Sequence, residues 1–340
     1  MFQKGGRFER FYPFYEANDT LMFTPGTVTK AGAHIRDSLD LKRMMITVVI
    51  ALVPCMLMAM WNTGYQANLA IAAGESAEGW RGWIIDFLGV GYSANNVLAS
   101  IFHGALYYLP VVAVTFIVGG HIEVLFAIVR RHEINEGFLV TGMLFPLTLP
   151  PTIPLWQVAV GITFGVLIGK EIFGGTGMNW MNPALTARAF LFFAYPAQIS
   201  GDKVWTAVSD QNAVDAFSGA TILGKVAAFE SPDAIADPVA ALTSTWWWDG
   251  ELTWLDAFLG VVPGSMGETS TLAVLLGAGI LIATGIGSWR TMAGVVAGGL
   301  LATLALNAVG SETNGLMNLP FHWQFVSGSM AFALVFMATD

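Results

Sequence analysis

Charge is scarce in this chain. Only 11% of its 340 residues are Asp, Glu, Lys or Arg, against about 25% in a soluble domain. Hydrophobic residues make up 55%, and the mean hydropathy is +0.61. This balance excludes an ordinary soluble domain and reads as a polytopic membrane protein. Cysteine is nearly absent as well. Cys55 is the single copy and lies in an apolar run. No disulfide within the chain and no Cys-rich zinc or iron–sulfur site can therefore form, and Cys55 reads as a small buried hydrophobe. The five histidines show no H-E-x-x-H or other metal-ligand spacing, so no metal ligands are assigned. Residues 1–43 are polar, charged and aromatic, without the apolar core of a cleavable signal peptide.

What is present is a series of apolar runs near 44–61, 101–128, 138–150, 155–169, 182–199, 271–289, 291–310 and 322–338. Each is a candidate membrane helix, and 38 glycines suit close helix packing in lipid. The expected fold is all-α: a polytopic transmembrane helical bundle. Residues 1–43 form an N-terminal segment and 44–340 the transmembrane domain. Cations orient it. Lys4, Arg7, Arg10, Lys30, Arg36, Lys42 and Arg43 precede the first run, so the N-terminus is expected in the cytoplasm. Arg130, Arg131, Lys170 and Arg290 then fall inside too. The segments 62–100 and 200–254 are expected as long outer loops, rich in acids and poor in cations.

Some runs are not simple spans. Residues 138–150 end in a proline cluster, Pro150, Pro151 and Pro154, and proline stops helices. Residues 256–270 read as a short or re-entrant helix. Broken helices at membrane depth line cavities or pack inside protein. Gly177-Met178-Asn179-Trp180-Met181-Asn182-Pro183 opens one span, and Asn314-Gly315-Leu316-Met317-Asn318-Leu319-Pro320 opens a later one. The first falls at the inner face and the second at the outer face, as in an inverted repeat. The chain closes on Met337-Ala338-Thr339-Asp340 with no polar tail, which reads as a truncation.

Four constellations bear chemistry. The outer segment 200–254 carries Asp215-Ala216-Phe217-Ser218-Gly219-Ala220-Thr221. It resembles the acceptor signature D-x-x-[ST]-G-A-T, at which a transferase joins FMN to the threonine hydroxyl through a phosphoester. Ala216 departs from the glycine common after that aspartate. An ordinary loop is the bland alternative. Asn179 and Asn182 follow Gly174-Gly175-Thr176-Gly177. Their amides suit a flavin edge, or Asn182 before Pro183 simply caps a helix. Gly119 and Gly120 admit a flat ring or close helix packing. Glu123, nearby, is costly at membrane depth unless paired or functional. Arg188 pairs with Glu171, caps carbonyls or meets a bound cofactor. Glu123, Glu171, Asp256, Glu268 and Glu312 are the acids open to ion coupling. The aromatics Phe8, Phe11, Tyr12, Phe14, Tyr15 and Phe23 suit anchoring at the interface, or a fold over a quinone entrance that brings Glu16 with it.

Taken together, several motifs are specific. They include Phe23-Thr24-Pro25-Gly26, His34-Ile35-Arg36-Asp37-Ser38, Val118-Gly119-Gly120, Glu136-Gly137-Phe138 and Asn182-Pro183-Ala184. Arg188-Ala189-Phe190-Leu191, Ser218-Gly219-Ala220-Thr221 and Phe336-Met337-Ala338-Thr339-Asp340 complete them. Across nearly its whole length the chain resembles the B subunits of bacterial sodium-translocating NADH:quinone oxidoreductases. The D subunits of Rnf ferredoxin:NAD complexes share the S-G-A-T site, but they start close to the first span. The resemblance implies ten spanning helices, so about two would be absent here. It implies an inner-membrane, six-subunit redox-driven sodium pump that passes electrons from NADH to ubiquinone. Thr221 would carry covalent FMN on the periplasmic side, within reach of Asp215, Ser218, Gly219 and Ala220. Asn179 and Asn182 would contact riboflavin. Gly119, Gly120 and Glu123 would form the quinone site, with Glu123 acting in catalysis. The resemblance does not place the Na+ ligands. The rival functions are an Rnf-type electron carrier and a flavin-free secondary transporter.

Overall fold

The apolar runs set the helices. The computed structural model describes residues 6–12, 15, 32, 41–77, 79–130, 134, 137–201, 206–207, 220–244 and 252–339, and these are helical or irregular with no strand. In chain order come α1 (Leu41–Ala72), α2 (Gly79–Leu88), α3 (Val97–Arg130), α4 (Gly137–Leu147), α5 (Leu155–Gly169) and α6 (Pro183–Ala194). Three short helices follow: α7 (Ile222–Ala227), α8 (Pro232–Ala236) and α9 (Pro238–Ser244). Then come α10 (Trp254–Leu259), α11 (Thr271–Ala283), α12 (Trp289–Val309) and α13 (Phe321–Ser327). Among the described residues, four segments, Leu41–Ala72, Val97–Arg130, Leu155–Phe173 and Trp289–Val309, are long and apolar enough to cross a membrane. Each of the eight expected runs carries helix, and the protein is an all-α, multi-pass membrane protein.

The expected boundaries need correction. The segment 62–100 is mostly helical rather than a loop. α1 continues through 62–72, α2 occupies 79–88 and α3 starts at Val97. At 1.5 Å per residue, α1 is about 48 Å long, against about 30 Å of hydrocarbon. Its far end packs on protein, so its inward residues are polar: Asn62, Gln66 and Asn68 are all buried. α1 and α3 run antiparallel and touch backbone to backbone. A Cβ at Gly64 would overlap the Ser100 carbonyl oxygen, and one at Gly104 would overlap that of Met60. Beside this crossing, Asn68 donates to Ser100 Oγ (3.3 Å) and its Oδ1 meets His103 Nδ1 (2.8 Å). The run 271–289 is also interrupted. α11 stops at Ala283, and Gly285 turns the chain at φ +72°. The run 182–199 stops as a helix at Ala194, just before Pro196.

The two broken elements meet. α4 ends at Leu147, and α10 ends in a left-handed Gly260 (φ +86°). The irregular stretches that follow join through Met266 N–H to Leu149 O (3.1 Å) and Gly267 N–H to Leu147 O (2.8 Å). Asn62 of α1 donates to Val262 O (2.8 Å). Each break thus supplies partners for backbone groups that lipid could not satisfy. The two related asparagine motifs lie at opposite poles. Asn179 and Asn182 share a cavity wall with Lys170, whereas Asn318 donates to Ile235 O (2.7 Å) beyond the other end. That is the placement an inverted repeat requires. The last element is broken too: α13 stops before Gly328, and Ala333–Met337 forms a π turn.

Candidate functional site

Thr221 stands directly before α7 and caps it. Its N–H donates to Gly201 O (2.8 Å), its hydroxyl also donates to Gly201 O (3.2 Å), and its Oγ accepts from Gly224 N–H (3.1 Å). Ala220 is buried beside it. Asp215, Ser218 and Gly219 lie outside the described residues. Burial lowers the ammonium of Lys225, on the same short helix, to about 8. The Thr221 hydroxyl borders a cavity of about 360 Å³, within the roughly 300–1,000 Å³ of ligand pockets. Its wall is drawn from separate segments: Gly201, Arg188 of α6, Ser265 and Glu268 of the second break, and Ser327 and Ser329 near the end of α13. The wall therefore offers hydroxyls, one cation and one acid, with apolar surface from Phe192 and Val326.

Arg188 takes the carbonyl-capping course. Its Nε donates to Thr148 O (2.9 Å), the carbonyl just past the end of α4. Pairing with Glu171 does not occur. Glu171 is held instead by Arg130, at 3.2 Å through its carboxylate and 2.5 Å through its carbonyl. Asp256 forms a capping box with Thr253, and Glu312 lies exposed in the turn after α12. Both are accounted for by local structure and surface position.

At the opposite pole, Gly174, Gly175 and Gly177 take φ values of +123°, +97° and +84°. Only glycine follows such a course freely, which explains the glycine-rich run. The turn brings Thr176, Asn179 and Asn182 to a cavity with Lys170 and Thr141. Asn182 caps α6, accepting from Ala184 N–H (2.9 Å) and Leu185 N–H (3.1 Å). Asn179 accepts from Gly177 N–H (3.2 Å) and donates to Met181 O (3.0 Å). The capping reading holds, and both asparagines also face the cavity. Thr176 Oγ is buried there with no partner among the described residues, the kind of group that a ligand or water satisfies. The cavity holds about 80 Å³, well short of a ligand pocket. A flavin edge fits these residues; an enclosed ring does not.

Glu123 is buried and forms an ion pair with buried Lys170. Lys170 therefore joins the cavity wall to the turn that carries Gly119 and Gly120. The two glycines differ. A Cβ at Gly119 would lie 2.5 Å from the Phe138 ring and 3.0 Å from Ile162, whereas one at Gly120 would meet only Phe138, at 3.8 Å. Gly119 is a packing glycine, and Gly120 has room beside it. Sequence reading used Lys170 only to orient the helices and missed its pairing. The available signal was the cost of an unpaired acid at the depth of Glu123, which does not say which cation meets it. Among the aromatics of the N-terminal segment, Phe8, Phe11, Tyr12 and Tyr15 are exposed; Phe14, Glu16 and Phe23 lie outside the described residues.

Residues 28–340 match the NQR2, RnfD, RnfE family. The chain belongs to this family. Among characterised relatives, it is 53% identical to the B subunit of the Na(+)-translocating NADH-quinone reductase of Stutzerimonas stutzeri, covering 100% of this chain and 80% of that protein. The protein of the same name from Ectopseudomonas mendocina is also 53% identical, with the same coverage. That of Chromohalobacter salexigens is 52% identical over 100% of this chain and 78% of its own length. Family membership fits the helical, multi-pass architecture, and the S-G-A-T and Asn-Pro motifs both fall inside the matched region.

Proposed function

We propose that this chain is the B-type membrane component of a Na+-translocating NADH:quinone reductase. It sits in the bacterial inner membrane within a six-subunit assembly and helps pass electrons from NADH to ubiquinone, coupled to Na+ export. Half-identity across the full chain to relatives of that name supports the reading. The observation that carries it is the Thr221 hydroxyl at the edge of a cavity of about 360 Å³. On this reading Thr221 is the acceptor for FMN. An external transferase would form the Thr221 O–P bond from an activated FMN donor such as a flavin dinucleotide, whose other half leaves from phosphorus. The hydroxyl proton now given to Gly201 O is lost, and the oxygen keeps a lone pair for Gly224 N–H. Bound flavin supplies one- and two-electron chemistry; the protein supplies position and electrostatics. Ser265, Ser327 and Ser329 offer hydrogen bonds to its polar edge, and Phe192 offers apolar surface.

Two further assignments belong to the same reading. Asn179, Asn182 and the Thr176 hydroxyl, which has no partner among the described residues, bind the edge of a riboflavin. Gly120 and the Glu123–Lys170 pair border the quinone site, with Gly119 fixing the packing behind it. The N-terminus lies in the cytoplasm and Thr221 on the periplasmic side, as the cation placement requires. The decisive measurement is in-gel flavin fluorescence of the denatured protein. Wild type is expected to fluoresce. Thr221→Ala is expected to assemble, lose the signal and lose quinone reduction. Covalent flavin retained in Thr221→Ala would move the acceptor elsewhere. A wild-type protein free of flavin would favour a secondary transporter built on the two broken helices.

A further inference from the structure

The Thr221 cavity has a feature that flavin attachment alone does not require. Arg188 is the cation of its wall, and Glu268 is the acid. The guanidinium carries five N–H donors. Among the described residues it spends one, the Nε bond to Thr148 O. That carbonyl belongs to the junction where the two broken elements join, so Arg188 is anchored on backbone that cannot shift without opening the junction. Glu268 accepts from Ser265 and lines the same cavity as Arg188. A cation and an acid at membrane depth are costly and are kept where they pair or act. Here both face the same space as the proposed acceptor hydroxyl.

We propose that Arg188, held by the Thr148 carbonyl, is the charge that sets the reduction potential of the group carried at Thr221, and that Glu268 on the same cavity wall offsets part of its charge. The proposal rests on Thr221 carrying a flavin. An electron delivered from NADH through the complex adds one negative charge to the cavity and leaves again toward quinone, so a turnover closes with no net charge stored. While the electron is there, Arg188 favours the reduced form and Glu268 opposes it. A unit charge on the wall of a protein cavity acts more strongly on that electron than it would across bulk water.

The test is a redox titration of the assembled complex. The Thr221-linked flavin is resolved as the difference between wild-type and Thr221→Ala complexes, with in-gel fluorescence confirming attachment in each variant. Arg188→Gln is expected to lower the midpoint potential. The reduced-to-oxidised ratio at fixed poise should fall on the order of tenfold, which is about 59 mV for one electron. Glu268→Gln is expected to shift the potential the opposite way, and Arg188→Lys to restore most of the wild-type value. Unchanged potentials in both glutamine variants, with fluorescence retained, overturn the proposal and leave the flavin assignment standing. Absence of fluorescence in the wild type overturns both. Should Arg188→Gln not assemble, Glu268→Gln decides by the direction of its shift.

Discussion

Gly119 and Gly120 are neighbours with opposite surroundings, and that difference separates a packing residue from one with room beside it. A methyl at Gly119 has nowhere to go, because the Phe138 ring and Ile162 already fill the space. Gly119→Ala gains roughly 0.5–1 kcal/mol of helix propensity but incurs an overpacking cost of roughly 1–3 kcal/mol. The expected outcome is a less stable protein, read as a lower thermal midpoint in detergent. Gly120→Leu adds bulk where only ordinary contact with Phe138 exists. It is expected to raise the apparent KM for quinone while NADH still reduces the flavins. A loss of assembly with unchanged quinone kinetics would instead make Gly120 a second packing residue. The nearby Glu123–Lys170 pair follows a different rule. Its residues are 47 apart in sequence, so no local pattern announces it. What sequence could read was the cost of an unpaired acid at that depth; which cation meets it is settled only by the packing of α3 against the end of α5.

Helix elements show where legibility ends for a physical reason. Hydropathy finds the part of a helix that lipid surrounds. It does not find residues 62–72, which leave the apolar run yet remain helical because they pack on α3. The crossing of α1 and α3 depends on Gly64 and Gly104, whose missing side chains allow backbone contact. Gly104→Ala can fit only if the two helices separate. That outweighs the propensity gain of roughly 0.5–1 kcal/mol, so destabilisation is expected. Gly298 on α12 has nothing within 4 Å of its would-be Cβ. Gly298→Ala is therefore expected to leave stability unchanged or raise it slightly. Thermal melts of the two variants in detergent should move in different directions; equal loss in both would show that the α1–α3 contact is not specially tight. The break after α4 was legible from Pro150, Pro151 and Pro154, and the one after α10 from Pro263-Gly264 within 256–270. Their meeting was not, because the bonds from Met266 and Gly267 to Leu149 and Leu147 span more than a hundred residues.

At the scale of the whole molecule, the two poles carry different chemistry. One holds Lys170, Thr176, Asn179 and Asn182; the other holds Thr221. The all-α class and the positions of the spans were readable because water and lipid sort residues along the entire chain. The Thr221 cavity was not, because its wall is collected from Arg188, Gly201, Ser265, Glu268 and Ser327, residues with no shared local pattern. Orientation decides between readings of these poles: on the proposed function, an outward flavin and an inward quinone-reducing end would define a direction for electrons across the membrane. Cation placement predicts it, and single cysteines can read it. Cys55 is fully buried in α1, so Cys55→Ala gives a background silent to impermeant thiol reagents. Glu312 and Asp233 are exposed at the Thr221 pole, and Arg290 is exposed in the first turn of α12. In that background, Glu312→Cys and Asp233→Cys are expected to react in cells whose inner membrane is sealed and whose outer membrane is opened. Arg290→Cys is expected to react only after the inner membrane is permeabilised, or in inverted vesicles. The reverse pattern would turn the molecule over, put Thr221 in the cytoplasm and remove the basis for an outward flavin site.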